Sequence, residues 1–168
     1  MGISPSKRVK SSLSNSPEFD SACNSTFSHC LSLTEHGFDG VFPFQLATAS
    51  DHLYQTLHDD AAPHPLVLKW VSSPPTRSQV DSALRAVTRS DSDSETTLRS
   101  PQFKQWAVEL FAGAVVANAR KDLMVRVPIG VAGIAGLGAA SRSGKDLVGT
   151  AIGVYALGVA AAVYLGLQ

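Results

Sequence analysis

Gly2 is the first residue whose position implies chemistry. The opening MGISPSKR fits the N-myristoylation pattern M-G-x-x-x-[ST], with the Gly2 amine as acyl acceptor and Ser6 as the small hydroxyl further in. Lys7, Arg8 and Lys10 follow, and no acid occurs before Glu18. One myristoyl chain binds membranes with K on the order of 10⁴ M⁻¹, and each basic residue beside an anionic leaflet adds about 1 kcal/mol. The three cations would therefore make a reversible anchor firm, and phosphate on Ser6, Ser11 or Ser12 would cancel their charge. Two rivals fit the same stretch: a plain serine-rich disordered terminus, and an organellar transit peptide, which is also Ser-rich, basic and poor in acid.

Histidines suggest a metal less well than their spacing first implies. His52, His58 and His64 recur every six residues with Asp59 and Asp60 between them. Six-residue spacing does not put side chains on one helical face, and prolines flank His64. No compact ligand motif such as H-E-x-x-H or C-x-x-C is present, so no metal or cofactor is expected. Cys23 and Cys30 share a helix face and read as core thiols, with S-acylation as the alternative. Four Ser-Pro pairs begin at Ser4, Ser16, Ser73 and Ser100. Ser73, in a loop, and Ser92, among acids, are the candidate phosphorylation sites. No nucleophile elbow, P-loop or dinucleotide fingerprint occurs, and a formal net charge of zero speaks against nucleic acid.

The elements that would carry these residues are helices. Ser16 caps, Pro17 fits the first turn and Glu18 suits the positive end of the dipole. Phe19, Ala22, Cys23, Phe27, Cys30 and Leu31 then recur at helical spacing. HGFDG (36–40) reads as a turn. A second run presents Phe44, Leu46, Ala47, Leu53, Tyr54 and Leu57, and DDAAPHP ends it. LVLKWV (66–71) reads equally as a strand or a helical turn. A third helix has Val80, Ala83, Leu84 and Val87 as its inner face, and SDSDSE (90–95) is an acidic linker. Ser100 and Pro101 repeat the cap-and-proline start of a helix bearing Phe103, Trp106, Ala107, Leu110, Phe111, Ala114 and Val115. Trp106 with Arg120, Lys121 and Arg126 resembles an interfacial anchor.

The C-terminal tract is apolar: VPIGVAGIAGLGAA from Val127, a polar break SRSGKD, then an uncharged run from Leu147 to Gln168. The second run matches the ~20 helical residues that cross ~30 Å of hydrocarbon, whereas the first reaches roughly 21 Å. Small residues fall four apart at Ala132, Gly136 and Ala140, at Gly149 and Gly153, and at Gly158, Ala162 and Gly166. Such stripes let helix backbones approach closely in lipid. If SRSGKD is a hairpin turn, Ala140 faces about Gly149 and Gly136 about Gly153. A single span over 147–168 is the alternative, because it keeps Arg142 and Lys145 on the near side.

This tail resembles glycine-zipper membrane hairpins. MGISPSKRVKSSLSNSPEF (1–19) and SPPTRSQVDSALR (73–85) resemble a plant family of small membrane-associated proteins, which implies a plant source and a membrane setting and no activity.

The expected organisation is mainly α: residues 1–16 disordered, basic and acylated; 17–89 a small helical region; 90–100 a linker; 101–122 an amphipathic helix; 123–168 a glycine-rich transmembrane hairpin or single span. The expected function is a non-enzymatic adaptor or regulator. It would sit on the cytosolic face of the plasma membrane or an endomembrane, or on an organelle envelope, and present a helical surface to a cytosolic protein. The rival is a subunit of an oligomeric transport or membrane-shaping assembly, a homo-oligomer through the tail. A membrane-bound enzyme without a recognisable motif is a third reading.

Overall fold

The computed structural model describes residues 4–34, 38–59, 63–89, 97–140 and 144–167. The chain is mainly α, as expected, and divides into two compact units, residues 1–116 and 117–168. Among the described residues there is no strand, and one antiparallel bridge joins Val41 to Leu98. Gly2 and Ser92, with the acidic run 90–95, lie outside the described residues.

Helix α1 (Pro5–Ser14) occupies much of the stretch expected to be disordered. Its start follows from local chemistry: the Ser4 hydroxyl accepts from the Lys7 amide, and Pro5 occupies the first turn. Val9 and Leu13, one turn apart, are fully buried, and Lys10 pairs with Glu109. An apolar pair in a serine-rich background was too faint a periodic signal to outweigh composition. Helix α2 (Pro17–Ser32) begins as expected, with the Ser16 hydroxyl accepting from the Phe19 amide at 3.2 Å and donating to Glu18 Oε2 at 2.6 Å. That hydroxyl is the main reason the exposed Glu18 carboxyl sits below the usual carboxylate range, with its own backbone amide assisting.

Helix α3 (Leu46–His58) packs on α2 and buries Leu46, Ala49, Leu53 and Leu57. Phe44, expected on that face, lies instead in a 3₁₀ turn (Pro43–Gln45) and is 74% exposed. The ambiguous LVLKWV segment is helical, as α4 (Pro65–Trp70). Helix α5 (Arg77–Thr88) opens on a capping box between Thr76 and Gln79 and buries Val80, Ala83 and Val87.

Helix α6 (Ser100–Ala140) runs through both units. Its cap position is Arg99, whose amide donates to the Gln102 side chain at 3.0 Å, so Ser100 is its first residue rather than its cap. In the first unit α6 is the central element: Phe103, Trp106, Leu110, Phe111 and Val115 are all buried. Phe111 meets Phe19 edge-on at 6.1 Å, and Phe103 lies between Phe27 and Trp106. Trp106 is fully buried and donates to the Val80 carbonyl at 3.4 Å, so it is a core residue and not an interfacial anchor. Its indole N–H finds an acceptor inside the protein, which removes the reason to seek a headgroup.

Trp106→Ala is therefore expected to destabilise the first unit by about 3–5 kcal/mol, whereas Phe44→Ala should stay within about 0.5 kcal/mol. Urea unfolding of the detergent-solubilised chain, followed by circular dichroism, distinguishes the two.

Candidate functional site

The second unit is a helical hairpin of the final part of α6 and α7 (Lys145–Leu165). Both helices are long and apolar enough to cross a membrane, and none of either apolar window is buried. The arms run antiparallel. A Cβ on Gly138 would fall onto Val148, and one on Gly130 would fall onto the Tyr155 ring. Glycine is required at those two positions because a side chain of the opposite arm already fills the space. The Tyr155 hydroxyl donates to the Arg126 carbonyl at 3.1 Å and so pins the register. A little over two turns further along, that register brings Tyr164 level with Asp122, which holds Arg126 Nε at 2.8 Å.

The expected small-residue contacts are not those that join the arms. Among the described residues nothing lies within 4 Å of a Cβ placed on Gly136, Gly149, Gly153 or Gly158, nor on Gly133, and Ala132, Ala140 and Ala162 are exposed. At 100° per residue, Gly136 lies opposite the α6 face that carries Val127, Val131, Ile134 and Gly138. The expected pairing of Gly136 with Gly153 and of Ala140 with Gly149 is thus corrected: the arms join through Gly130, Gly138, Val148 and Tyr155. The physical reason is volume, since a glycine opposite a tyrosine or valine fills the gap that two facing glycines would leave. The signal was in the sequence, because Gly130 and Gly138 are eight apart on one face, but spacing alone cannot choose between faces. Gly166 ends α7 as its C-cap.

The basic N-terminal residues are held by α1. Lys7 is exposed, while Lys10 spends its charge on Glu109. Ser73 is exposed in the loop between α4 and α5.

The remaining titratable groups serve the first unit. Cys23 and Cys30 are almost wholly buried, and burial pushes the Cys23 thiol up to about 12 and the Cys30 thiol upward. Burial of this kind fits the core role expected of both thiols. His52 stacks on His29 at 4.5 Å and shares a 3.1 Å hydrogen bond with Thr26, while each ring nitrogen of His58 lies 2.9 Å from a carbonyl, of Tyr54 and of Val71. His64 is buried against Phe19, and its Nδ1 has no hydrogen-bond partner among the described residues. No group of three or more His, Cys, Asp or Glu among the described residues is placed to hold a metal ion. Comparison with protein-family models, curated proteins and solved structures finds no match. What the structure defines is a helical unit with its own core and an exposed apolar hairpin.

Two outcomes follow. Cysteines at Gly138 and Val148 should cross-link within one chain, and Gly130→Leu should abolish that product while Gly136→Leu preserves it; gel mobility after oxidation reads both. Burial pushes the His64 imidazole below its ordinary value, against a smaller upward pull from Glu18, and burial with His29 does the same to His52. The neutral rings therefore stabilise the fold fully above the unfolded value of about 6.5, and that contribution falls away as pH drops through the lower folded values. The urea midpoint should fall between neutral pH and pH 5, and His64→Leu should flatten the fall, leaving the His52 part.

Proposed function

We propose that this chain is a non-enzymatic membrane-anchored adaptor, in which the hairpin is the anchor and the first unit is the part presented to a cytosolic protein. The observation that carries this reading is the contrast between the units. Residues 103–115 of α6 are largely enclosed by protein, whereas the apolar side chains of the hairpin, such as Ile129, Leu137, Val154 and Leu157, face outward. A water-exposed hairpin of that composition is a predicted aggregation surface, and a bilayer removes the penalty.

In this reading both arms cross and both chain ends lie on one side. Arg120, Lys121 and the Arg126–Asp122 pair mark the root of the hairpin, and Tyr164 sits there as an interfacial aromatic. Side chains on a helix lean toward its N-terminus, so Arg126 reaches back toward the headgroups. Arg142 and Lys145, which lie between the two apolar runs in sequence, oppose the positive-inside tendency, but three cations at the root outnumber them. The setting is the cytosolic face of the plasma membrane or an endomembrane, with an organelle envelope as the alternative.

One observation favours a second reading, a self-assembling membrane subunit. Among the described residues, nothing lies close enough to Gly133, Gly136, Gly149, Gly153 or Gly158 to require a glycine there. Each is less favourable than alanine by about 1 kcal/mol in a helix interior. Close approach of another hairpin would give those glycines a purpose.

Exchanging residues 117–168 for an unrelated two-span hairpin separates the readings. A proximity-labelling enzyme inserted at 90–95 should mark the same cytosolic neighbours before and after the exchange if the chain is an adaptor. Loss of those neighbours together with loss of a native-gel oligomer would establish the assembly reading instead.

A further inference from the structure

Charge is distributed unevenly over the first unit. Between Lys10 and Lys69 the chain has no Lys or Arg and seven carboxylates. Asp20 is paired with Lys104, and Glu18 is engaged by Ser16. Asp39, Asp51 and Asp59 remain exposed. Within this acidic tract lies an apolar loop, residues 38–44, that the fold leaves uncovered. Phe38 is 56% exposed, Phe44 is 74% exposed, and Leu33, at the end of α2, is 59% exposed. Phe42 joins the two phenylalanines: it meets Phe38 edge-on at 5.0 Å and stacks on Phe44 at 5.5 Å.

Backbone and side-chain contacts hold the loop from Gly40 to Gln45. Val41 and Leu98 exchange both backbone hydrogen bonds at 2.8 Å. Gly40 approaches so closely that a Cβ there would lie 2.8 Å from the Leu98 carbonyl and 2.9 Å from Thr97. The Phe42 amide donates to the Gln45 side-chain oxygen at 3.0 Å, and the nearly buried Gln45 amide donates in turn to the Cys30 carbonyl at 3.1 Å. A buried glutamine and an obligatory glycine thus fix a turn whose aromatic rings point into solvent. Rings held in one arrangement lose little entropy when covered, which is the advantage of a preorganised surface.

Charge decides what covers them. An anionic bilayer would be repelled by Asp39, which is exposed between Phe38 and Phe42 in a stretch of chain without Lys or Arg. A segment with apolar and basic residues satisfies both features: its aliphatic groups cover the rings, its Lys or Arg meets the carboxylates, and a guanidinium or ammonium over an exposed Phe face adds a cation–π contribution. We propose that the Phe38–Phe44 loop is a docking surface for a basic amphipathic segment of a protein partner. This rests on the adaptor reading and names the surface that would do the adapting.

The test uses the full chain in phosphatidylcholine nanodiscs, with empty discs as baseline, and a synthetic amphipathic helix of Leu and Lys as probe, followed by fluorescence anisotropy. The probe should bind, its Leu/Glu counterpart should not, and Phe38→Ser with Phe44→Ser should weaken binding by at least about tenfold. Asp39→Lys should weaken it further at low salt than at high salt. Unchanged circular dichroism is expected for all three substitutions, since each side chain is exposed. Binding that ignores the phenylalanine changes, or that is equal for the Leu/Glu helix, overturns the proposal. So does a dye on Phe44→Cys that is quenched by a lipid-borne nitroxide in discs containing phosphatidylserine, because the loop would then be a membrane contact. These failures would leave the anchor-exchange result standing, whereas loss of neighbours on anchor exchange would remove the adaptor reading whatever the probe does.

Discussion

Apolar side chains along α6 favour removal from water, and the fold gives them two different surroundings. Over residues 103–115 the helix is enclosed by the other helices of the first unit, with Trp106, Phe111 and Val115 fully buried. From Val127 onward its outward apolar groups have no protein cover, and only one face is met by α7. A helix interior satisfies its own backbone, so a single helix can pass from a protein core to a hydrocarbon environment without an unpaired peptide group. Pro128 is the exception, since it lacks the amide that would bond the Met124 carbonyl. It falls two residues after Arg126, which pairs with Asp122.

Packing within the hairpin follows shape complementarity more than residue smallness. Glycine serves there as a socket: Gly130 receives the Tyr155 ring and Gly138 receives Val148. The tyrosine then reaches the Arg126 carbonyl, so a polar tip on an apolar body sets the register. The other hairpin glycines have no described neighbour within 4 Å of where a Cβ would stand. Two sets of glycine in one hairpin therefore have different physical roles, and only the inward set is needed for the arms to meet.

In the first unit, groups that resemble chemistry are used for architecture. The cysteines are core thiols, the histidines stack, bridge carbonyls or lie buried beside Phe19, and the Ser-Pro pairs at 4 and 16 start helices. The surface of that unit also carries an aromatic loop, in which Phe38 and Phe44 are exposed. The proposed docking role draws on that loop, because exposed apolar patches favour being covered by a partner.

Periodicity was readable from the chain alone, and so was the cap of α2. Its start is set by a Ser-Pro pair whose hydroxyl satisfies a first-turn amide, and the buried faces of α5 and α6 are residues that recur at 3.6-residue spacing. The apolar tract was likewise legible, because an uncharged run of that length has few alternatives, but the sequence left a hairpin and a single span both open. Three features were decided only by tertiary structure. Val9 and Leu13 are too few to declare a helix until the rest of the unit offers them a core. Phe44 has the periodicity of α3 but is turned outward by the hydrogen bonds of Gln45 and by the bridge from Val41 to Leu98. Which glycines face the partner arm depends on the rotation of each helix about its axis. A sequence stripe leaves that angle undefined, and it is set by where Tyr155 and Val148 find room.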